Sequence, residues 1–164
     1  MTHVRLEPAT ADHVRALIAG DDAFAEQFGL AVSPGYLEFD GVLEHFLTAL
    51  DAGADPSWHT QLIVHRADRA LIGLGGFKGP PTDGRVEIGY GISPAYRHQG
   101  YATEAAQLMV DTARAAGVTT VIAHTLPETN HSTRLLTTLG FAQTTTVDDP
   151  DDGPVWRWEL PLTD

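Results

Sequence analysis

The stretch SPAYRHQGYATEA, residues 93–105, joins a strand-like segment to an alanine-rich segment with helical spacing. A helix that begins directly after such a turn presents backbone N–H groups that lack partners within the helix, and these groups bind anions. Gly100 has no side chain to obstruct a phosphate near the backbone, and Arg97 adds a positive charge. The stretch favours a phosphate site. The alternative is an ordinary helix start, in which Gly100 only permits the turn.

On both sides of this stretch, strand and helix patterns alternate. Residues 85–93 alternate apolar with small or polar residues, which is typical of a strand. After the stretch, apolar residues lie on one helical face up to Gly117, and residues 119–126 are rich in β-branched residues. This order predicts a helix over 101–116 within one right-handed crossover unit. A short helix over 130–141 and a hairpin made of FAQTTTV and PVWRWELPL complete this half.

The N-terminal half predicts a strand, helices and an antiparallel meander. Residues 3–8 alternate as a strand does, and Thr10 is a helix N-cap before an apolar face that ends at Gly20. The further predicted segments are a short helical piece at 23–28, a loop over 29–41, a helix with apolar residues between 42 and 50, and strands over 58–66, 70–79 and 85–93. The chain is therefore predicted to be one α/β layered domain, residues 1–164, with a mixed sheet.

Composition narrows the class of protein. The chain of 164 residues has no cysteine, which excludes disulfides and thiolate metal sites and favours a reducing cytoplasm. No apolar run approaches the roughly 20 residues of a membrane span. The formal net charge of −12 argues against nucleic acid and anionic membranes as partners. The same charge suits a cationic ligand, although solubility alone explains it.

Competing phosphate and metal motifs do not fit. The segment GLGGFKG, residues 73–79, has Lys78 where a dinucleotide fingerprint needs its third glycine, and it does not open a helix. No Gly-Lys-Ser/Thr sequence follows a glycine-rich loop, so the sequence lacks a Walker-type nucleotide site. The segment DDPDDG, residues 148–153, has Pro150 at a calcium-ligand position and predicts a solvated hairpin turn. No metal site is predicted.

Two motifs at a suitable separation carry a resemblance to a known family. The first is Arg97-x-x-Gly100-x-Ala102 followed by TEA. The second is N-x-S-x-R-x-L with a later LGF, which comprises Asn130, Ser132, Arg134, Leu136 and Leu139–Phe141. Together they resemble the GNAT superfamily of acetyl-CoA-dependent N-acetyltransferases, and EIGYGISPAYRHQGYATEA resembles its branch of ribosomal-protein N-terminal acetyltransferases. The resemblance implies a mixed central sheet with an antiparallel N-terminal meander, a splayed strand pair, and helices on both faces.

The resemblance also implies how acetyl-CoA binds. Backbone N–H groups of the turn would hold the pyrophosphate, and the strand that ends at Ile92 would pair with the pantetheine arm where strands 85–93 and 119–126 diverge. Asn130 and Ser132 match positions near the thioester end, although helix N-capping explains at least one of them. The implied coenzyme-binding residues are Ile92, Arg97, His98, Gln99, Gly100, Tyr101, Ala102, Thr103, Asn130 and Ser132.

The implied reaction is acetyl transfer to a primary amine, either a protein N-terminus or a small molecule, by direct attack in a ternary complex. The amine must first lose its proton, and Glu87 is the leading candidate base. Gly89 and Gly91 share its strand face and leave room for a ligand. The alternative for Glu87 is a surface carboxylate paired with Arg85 or Lys78.

Other groups are candidates for the remaining steps of the transfer. His124 in the opposite strand is the second candidate base, although a lone strand histidine is more often structural. A backbone N–H near Ile92 is the candidate donor to the thioester oxygen, which gains charge in the transition state. Many family members place a tyrosine in the 130–139 helix to protonate the leaving thiolate. Leu136 fills that position here, so this acid is absent.

The acceptor pocket is the part that the sequence defines least. Tyr36, Trp58 and Glu87 are the candidate acceptor-binding residues, and the hairpin around Trp156 and Trp158 is a further candidate, with aromatic packing as the alternative. The expected partners are acetyl-CoA and an amine, and a homodimer is left open. Two other functions stay open: a non-catalytic acyl-CoA-binding or regulatory module of the same fold, and an α/β interaction domain without a nucleotide ligand.

Overall fold

The computed structural model describes residues 2–37 and 41–162. The strands are β1 (Val4–Pro8), β2 (Ala31–Val32), β3 (Thr60–His65), β4 (Ala70–Phe77), β5 (Arg85–Ile92), β6 (Thr120–Thr125), β7 (Ala142–Asp149) and β8 (Gly153–Pro161). The helices are α1 (Ala11–Ala19), α2 (Asp21–Phe28), α3 (Val42–Asp51), α4 (Tyr101–Ala115) and α5 (His131–Thr138), and 3₁₀ turns lie at Pro56–Trp58 and Pro94–Tyr96. Within the described ranges, every helix is too short or too polar to traverse a bilayer.

The strands form one mixed sheet in the order β1-β3-β4-β5-β6-β8-β7, with β2 beside β4. The pairs β2 with β4 and β5 with β6 are parallel, whereas the other neighbours are antiparallel. Because β5, α4 and β6 follow one another in the chain, α4 is the crossover helix of the parallel pair. The predicted meander of β3, β4 and β5 is confirmed.

Helices cover both faces of the sheet, because successive strand side chains point to opposite faces. On β3, Leu62 and Val64 pack in a cluster with residues of α1, α2 and α3. Ile63, between them, packs in a second cluster that contains the buried side of α4, with Met109 fully buried. The α/β layered architecture expected from the sequence is therefore the observed one.

The parallel pair diverges toward the C-terminal end of β5. Pairing between β5 and β6 runs from Arg85 with Thr120 to Glu87 with Ile122. On its other edge, β5 stays paired with β4 as far as Ile92. Beyond Glu87, one edge of β5 thus faces away from β4 and toward the gap beside β6, which confirms the splayed pair.

Glycines allow β4 and β5 to approach closely beside this gap. A Cβ at Gly73 would overlap the carbonyl oxygen of Gly91, and a Cβ at Gly75 would lie 2.7 Å from the oxygen of Gly89. Side chains at these positions would push the two strands apart. The segment GLGGFKG therefore serves strand packing.

The predicted loop over 29–41 contains a short strand. Ala31 and Val32 pair in parallel with Ala70 and Leu71 of β4. The prediction missed β2 because two residues carry too little periodicity to mark a strand. Residues 38–40 of the loop lie outside the described residues.

Two element boundaries also differ from the sequence-based expectation. Trp58, predicted within a strand, ends a 3₁₀ turn that Pro56 opens and that the Asp55 side chain caps by accepting a hydrogen bond from the Ser57 N–H. The helix predicted from residue 23 begins at Asp21, since acidic residues stabilise the first turn of a helix. The capping role of Thr10 is confirmed, and so is the hairpin turn between β7 and β8.

Candidate active site

The turn before α4 forms one wall of a cleft of about 390 Å³, here called the turn cleft. Gly100 has φ +87°, a left-handed conformation that favours glycine, and a Cβ there would meet nothing within 4 Å. Gly100 has no side chain with which to cap α4, so the N–H groups of Tyr101, Ala102 and Thr103 have neither intrahelical nor capping partners. These three residues line the cleft, and α5 forms its opposite wall. The arrangement suits a phosphate.

Arg97 connects this turn to the end of β5. Its Nε–H donates a hydrogen bond to the carbonyl oxygen of Ile92 at 2.8 Å. The side chain thereby fixes the turn relative to the strand, in addition to placing a positive charge on the cleft wall. The carbonyl of Ile92 is thus already engaged, which leaves the backbone N–H as the group at this residue that a ligand amide could use.

The N–H groups of Tyr90 and Ile92 are directed toward the gap between β5 and β6. The N–H of Ser93 donates to the oxygen of Ile72, on β4. Hydrogen-bonding direction alternates along an antiparallel strand, so Gly91 has the same direction as Ser93, whereas Tyr90 and Ile92 have the opposite one. Two N–H donors therefore face the place where a bound thioester is expected.

Three of the other residues implied to bind the coenzyme differ in whether their side chains are available to the turn cleft. Ser132 lines the turn cleft. The Asn130 side chain accepts the N–H of Thr133 at 3.0 Å and caps α5, so the capping interpretation describes Asn130. The Gln99 amide donates back to the oxygen of Ala95 at 3.4 Å, and Gln99 is not among the residues that line the cleft.

The two candidate bases lie together at the start of the gap. Glu87 Oε2 is 3.0 Å from His124 Nδ1 and 2.9 Å from Lys78 Nζ. Of the two partners that the surface-carboxylate alternative gives Glu87, Arg85 and Lys78, the ion pair with Lys78 is present. A carboxylate that accepts the Nδ1–H of a histidine fixes the tautomer whose Nε2 carries a lone pair. The geometry thus joins two separate candidates into one carboxylate–imidazole pair.

Two further clefts meet the turn cleft around β5. The α3 cleft, about 730 Å³, is lined by α3, β4 and β5, and it shares Tyr90 with the turn cleft and Lys78 with the third cleft. The third cleft, here called the hairpin cleft, has a volume of about 630 Å³. Glu87 and His124 line it, and it shares Ser132 with the turn cleft. One ligand in the turn cleft and another in either neighbour would meet beside the gap.

Tyr90 is a site residue that the sequence-based reasoning missed. Burial raises the pKa of the Tyr90 phenol to about 12, and a hydrogen bond with the Ser132 side chain acts in the opposite direction. The phenol therefore keeps its proton at neutral pH and is a hydrogen-bond donor rather than a base. Tyr90 alternates in phase with Val86 and Ile88, so its pattern resembled that of a core residue. Leu136 is fully buried in the core and offers no hydroxyl group.

The acceptor candidates separate into two groups. Tyr36 lines the α3 cleft, and burial raises its pKa to about 12. Trp58 packs edge-on against Phe77 at 4.9 Å and lines none of the three clefts. Trp158 is buried and donates its Nε1–H to Thr125 Oγ1 at 3.0 Å, and Trp156 packs beside it. Tyr36 and Glu87 thus lie at the clefts, whereas the tryptophans occupy packing positions.

The acidic hairpin turn forms the rim of the hairpin cleft. Asp148, Asp149 and Asp152 line it, and Asp151 lines the α3 cleft. The backbone N–H groups of Asp152 and Asp151 donate to the Asp149 carboxylate and lower its pKa below the usual value. These hydrogen bonds favour the ionised form of the Asp149 carboxylate, and the cluster of aspartates at the rim suits a cationic ligand. Among the described residues, no three or more His, Cys, Asp or Glu side chains are placed so that they could together hold a metal ion.

The fold is similar to that of solved acetyltransferase structures. Over its full length, the chain superposes on ribosomal-protein-S5-alanine acetyltransferase from Vibrio fischeri, with a TM-score of 0.73, 13% identity, and coverage of 100% of this chain and 96% of that one. A spermidine N-acetyltransferase chimera from Vibrio cholerae gives a TM-score of 0.71 at 14% identity, with 98% and 96% coverage. A chain of the NatC complex bound to Gag peptide and CoA gives 0.68 at 17%, with 99% and 100% coverage.

These structural matches establish the fold. No curated protein sequence matches the chain significantly. The family model that describes the acetyltransferase (GNAT) domain matches residues 3–142, which includes the turn cleft, the strand gap and both candidate bases. The chain therefore belongs to the GNAT family of acetyltransferases.

Proposed function

We propose that this protein transfers an acetyl group from acetyl-CoA to a primary amine, on a protein N-terminus or a small molecule, in a ternary complex. One observation carries the proposal: the uncapped first turn of α4 and residues 90–92, the part of β5 beyond its pairing with β6, line the same cleft. The first suits a pyrophosphate and the second suits an amide-bearing arm.

The residues of the turn cleft fit coenzyme A. The N–H groups of Tyr101, Ala102 and Thr103 would bind phosphate oxygens, and Arg97, at the turn, adds charge. The N–H groups of Tyr90 and Ile92 would bind the pantetheine amides and the thioester oxygen. Acetyl-CoA supplies the activated acetyl group, and the protein aligns it with the acceptor.

Glu87 and His124 form the proposed base. With Nδ1–H donated to the carboxylate, His124 Nε2 takes the proton from the incoming ammonium, directly or through water, and Glu87 stabilises the imidazolium that results. The side chains of Glu87 and His124 are 25% and 23% exposed, so water reaches the pair and carries the proton away. This assignment gives Glu87 an orienting role and His124 the direct one.

Tyr90 and Ser132 serve the leaving group. Since Leu136 has no proton to give, the hydroxyl groups in the turn cleft are the available donors to the sulfur as negative charge develops there. A thiolate leaves without full proton transfer because free thiols ionise near pH 8.5. Hydrogen bonding by Tyr90 and Ser132 is therefore sufficient.

One experiment separates the proposal from its alternatives. Thermal unfolding is followed with and without millimolar acetyl-CoA, and thiol release is measured with a panel of amines and peptides. A rise in Tm with turnover supports the enzyme, because a ligand that binds the native state stabilises it. A rise in Tm without any turnover supports the non-catalytic module, and no rise supports the interaction domain.

A further inference from the structure

Two histidines face each other across the turn cleft. The imidazole of His98, in the turn before α4, and that of His131, the first residue of α5, have ring centroids 4.3 Å apart at an interplanar angle of 55°. Both residues line the cleft and both are exposed. They are here called the histidine pair. The pair connects the two walls between which, under the proposed function, the coenzyme lies.

The charge around the pair is unusual for this protein. The chain has 22 acidic residues against 10 lysines and arginines. The residues described as lining the turn cleft nevertheless include Arg97 and Arg134 beside the histidine pair, and no carboxylate. The other titratable side chains of that lining are the phenols of Tyr90, Tyr96 and Tyr101. The groups that face the pair therefore favour an anion.

The backbone conformation at His98 decides which substitution can test the pair. His98 has φ +63°, in the left-handed region, where asparagine, aspartate and histidine occur more often than most other side chains. Asparagine is therefore the replacement that removes the imidazole and suits the same backbone. Arg97, its neighbour, is engaged by the Ile92 carbonyl through Nε, so part of its donor capacity serves the turn itself.

We propose that His98 and His131 together bind one phosphate group of coenzyme A, each donating a ring N–H to it from the same side of the pair, and take up a proton when they do so. Two imidazolium rings this close repel each other unless an anion that contacts both of them offsets their charge, so anion binding and protonation favour one another. The inference rests on the proposed function and assigns side chains to what the family resemblance described as backbone binding.

Calorimetry of coenzyme A binding tests the pair directly. Binding to the full-length protein is measured at pH 6 and pH 8, in buffers of different ionisation enthalpy, so that the protons taken up are counted. The variants are His98→Asn, His131→Gln and the double variant, with His59→Gln as the control, because His59 lines none of the three clefts. Asparagine tolerates the left-handed conformation, so His98→Asn is expected to keep or raise the Tm.

Each single substitution is expected to weaken binding about fivefold to tenfold at pH 6, less at pH 8, and the double variant by less than the product of the two. Proton uptake is expected to fall from parent to double variant. Ionisation of the ligand's own phosphates affects both proteins equally and cancels in this comparison. A loss that persists with dephospho-coenzyme A assigns the pair to the pyrophosphate, and a loss confined to coenzyme A assigns it to the 3′-phosphate.

Equal affinity and equal proton uptake in the parent and the double variant would overturn the inference and leave the proposed function standing. Failure of the parent to bind coenzyme A at either pH would overturn the proposed function, and this inference with it. A loss of affinity in His98→Asn accompanied by a large fall in Tm would mean that His98 is structural, which also overturns the inference.

Discussion

Removal of the His124 imidazole should slow acetyl transfer, and the loss of rate should be larger for an acceptor amine with a higher pKa. A lysine-like amine with pKa about 10.4 costs about 4.6 kcal/mol to deprotonate at pH 7, whereas an amine with pKa about 7.8 costs about 1.1 kcal/mol. His124, oriented by Glu87 at 3.0 Å, is the group proposed to remove that proton. In His124→Gln the amine must lose it to water before it reaches the site.

The expected losses follow from these energies. For the more basic amine, kcat/KM should fall about 100-fold to 1,000-fold, within the range that one general base contributes. For the less basic amine, the loss should stay below about tenfold, because about one molecule in seven is already neutral at pH 7. Glu87→Gln, which keeps an acceptor for the imidazole N–H but removes the charge, should give intermediate losses.

The assay measures thiol release with saturating acetyl-CoA and two amines of one skeleton, one of them carrying an electron-withdrawing group that lowers its pKa. His59→Gln serves as the control for loss of an imidazole, because His59 lines none of the three clefts. Losses of equal size for both amines in His124→Gln would refute the reasoning, because they would show that His124 shapes the site without taking the proton.

Three further predictions concern the leaving group, the strand gap and acid stability. Tyr90→Phe should lower kcat about tenfold with little change in Tm, as measured by steady-state kinetics, because it removes one donor near the sulfur. Gly73→Ala should lower the Tm by several degrees and abolish acetyl-CoA binding, since its Cβ would overlap the Gly91 oxygen. Burial lowers the pKa of His13, so the unfolded chain binds its proton first and His13 costs stability as the pH falls below about 6.5. His13→Gln, which can retain the hydrogen bond from the Thr10 N–H, should make the Tm depend less on pH between 6.5 and 5.

The arrangement of helices and strands was predictable because it follows from local periodicity. The alternation at residues 85–93 and the 3.6-residue spacing after Gly100 predicted β5 and α4 to within one residue at each end. β2 was not predictable, because two residues show no period. Trp58 was misplaced because the alternation continued backward into residues that Pro56 commits to a 3₁₀ turn.

The site was predictable only where backbone geometry defines it. Gly100 is identified by the need for a left-handed conformation, and the motif around it identified the turn cleft. The functions of side chains were not predictable in the same way. The sequence left open whether Asn130 caps α5 or contacts the coenzyme, and the structure shows the cap. The sequence also could not distinguish Tyr90 from a core residue. His131 carried no signal, because its partner His98 lies 33 positions away in the sequence and only the fold brings the rings to 4.3 Å.

The two sides of the site are mechanically connected, and this constrains how acceptor selectivity can vary. The fully buried Ser93, which opens the turn, donates its hydroxyl to Ser33 Oγ at 2.7 Å. A Cβ at Gly35 would lie 2.9 Å from Pro94, so the segment that leads to Tyr36 packs directly against the turn. A bulky residue at position 33 or 35 would displace the turn before α4 together with the wall that Tyr36 lines. Because the proposed function places the coenzyme at that turn, selectivity for different amines is freer to change in α3 and in the acidic hairpin turn, whose side chains line the two neighbouring clefts.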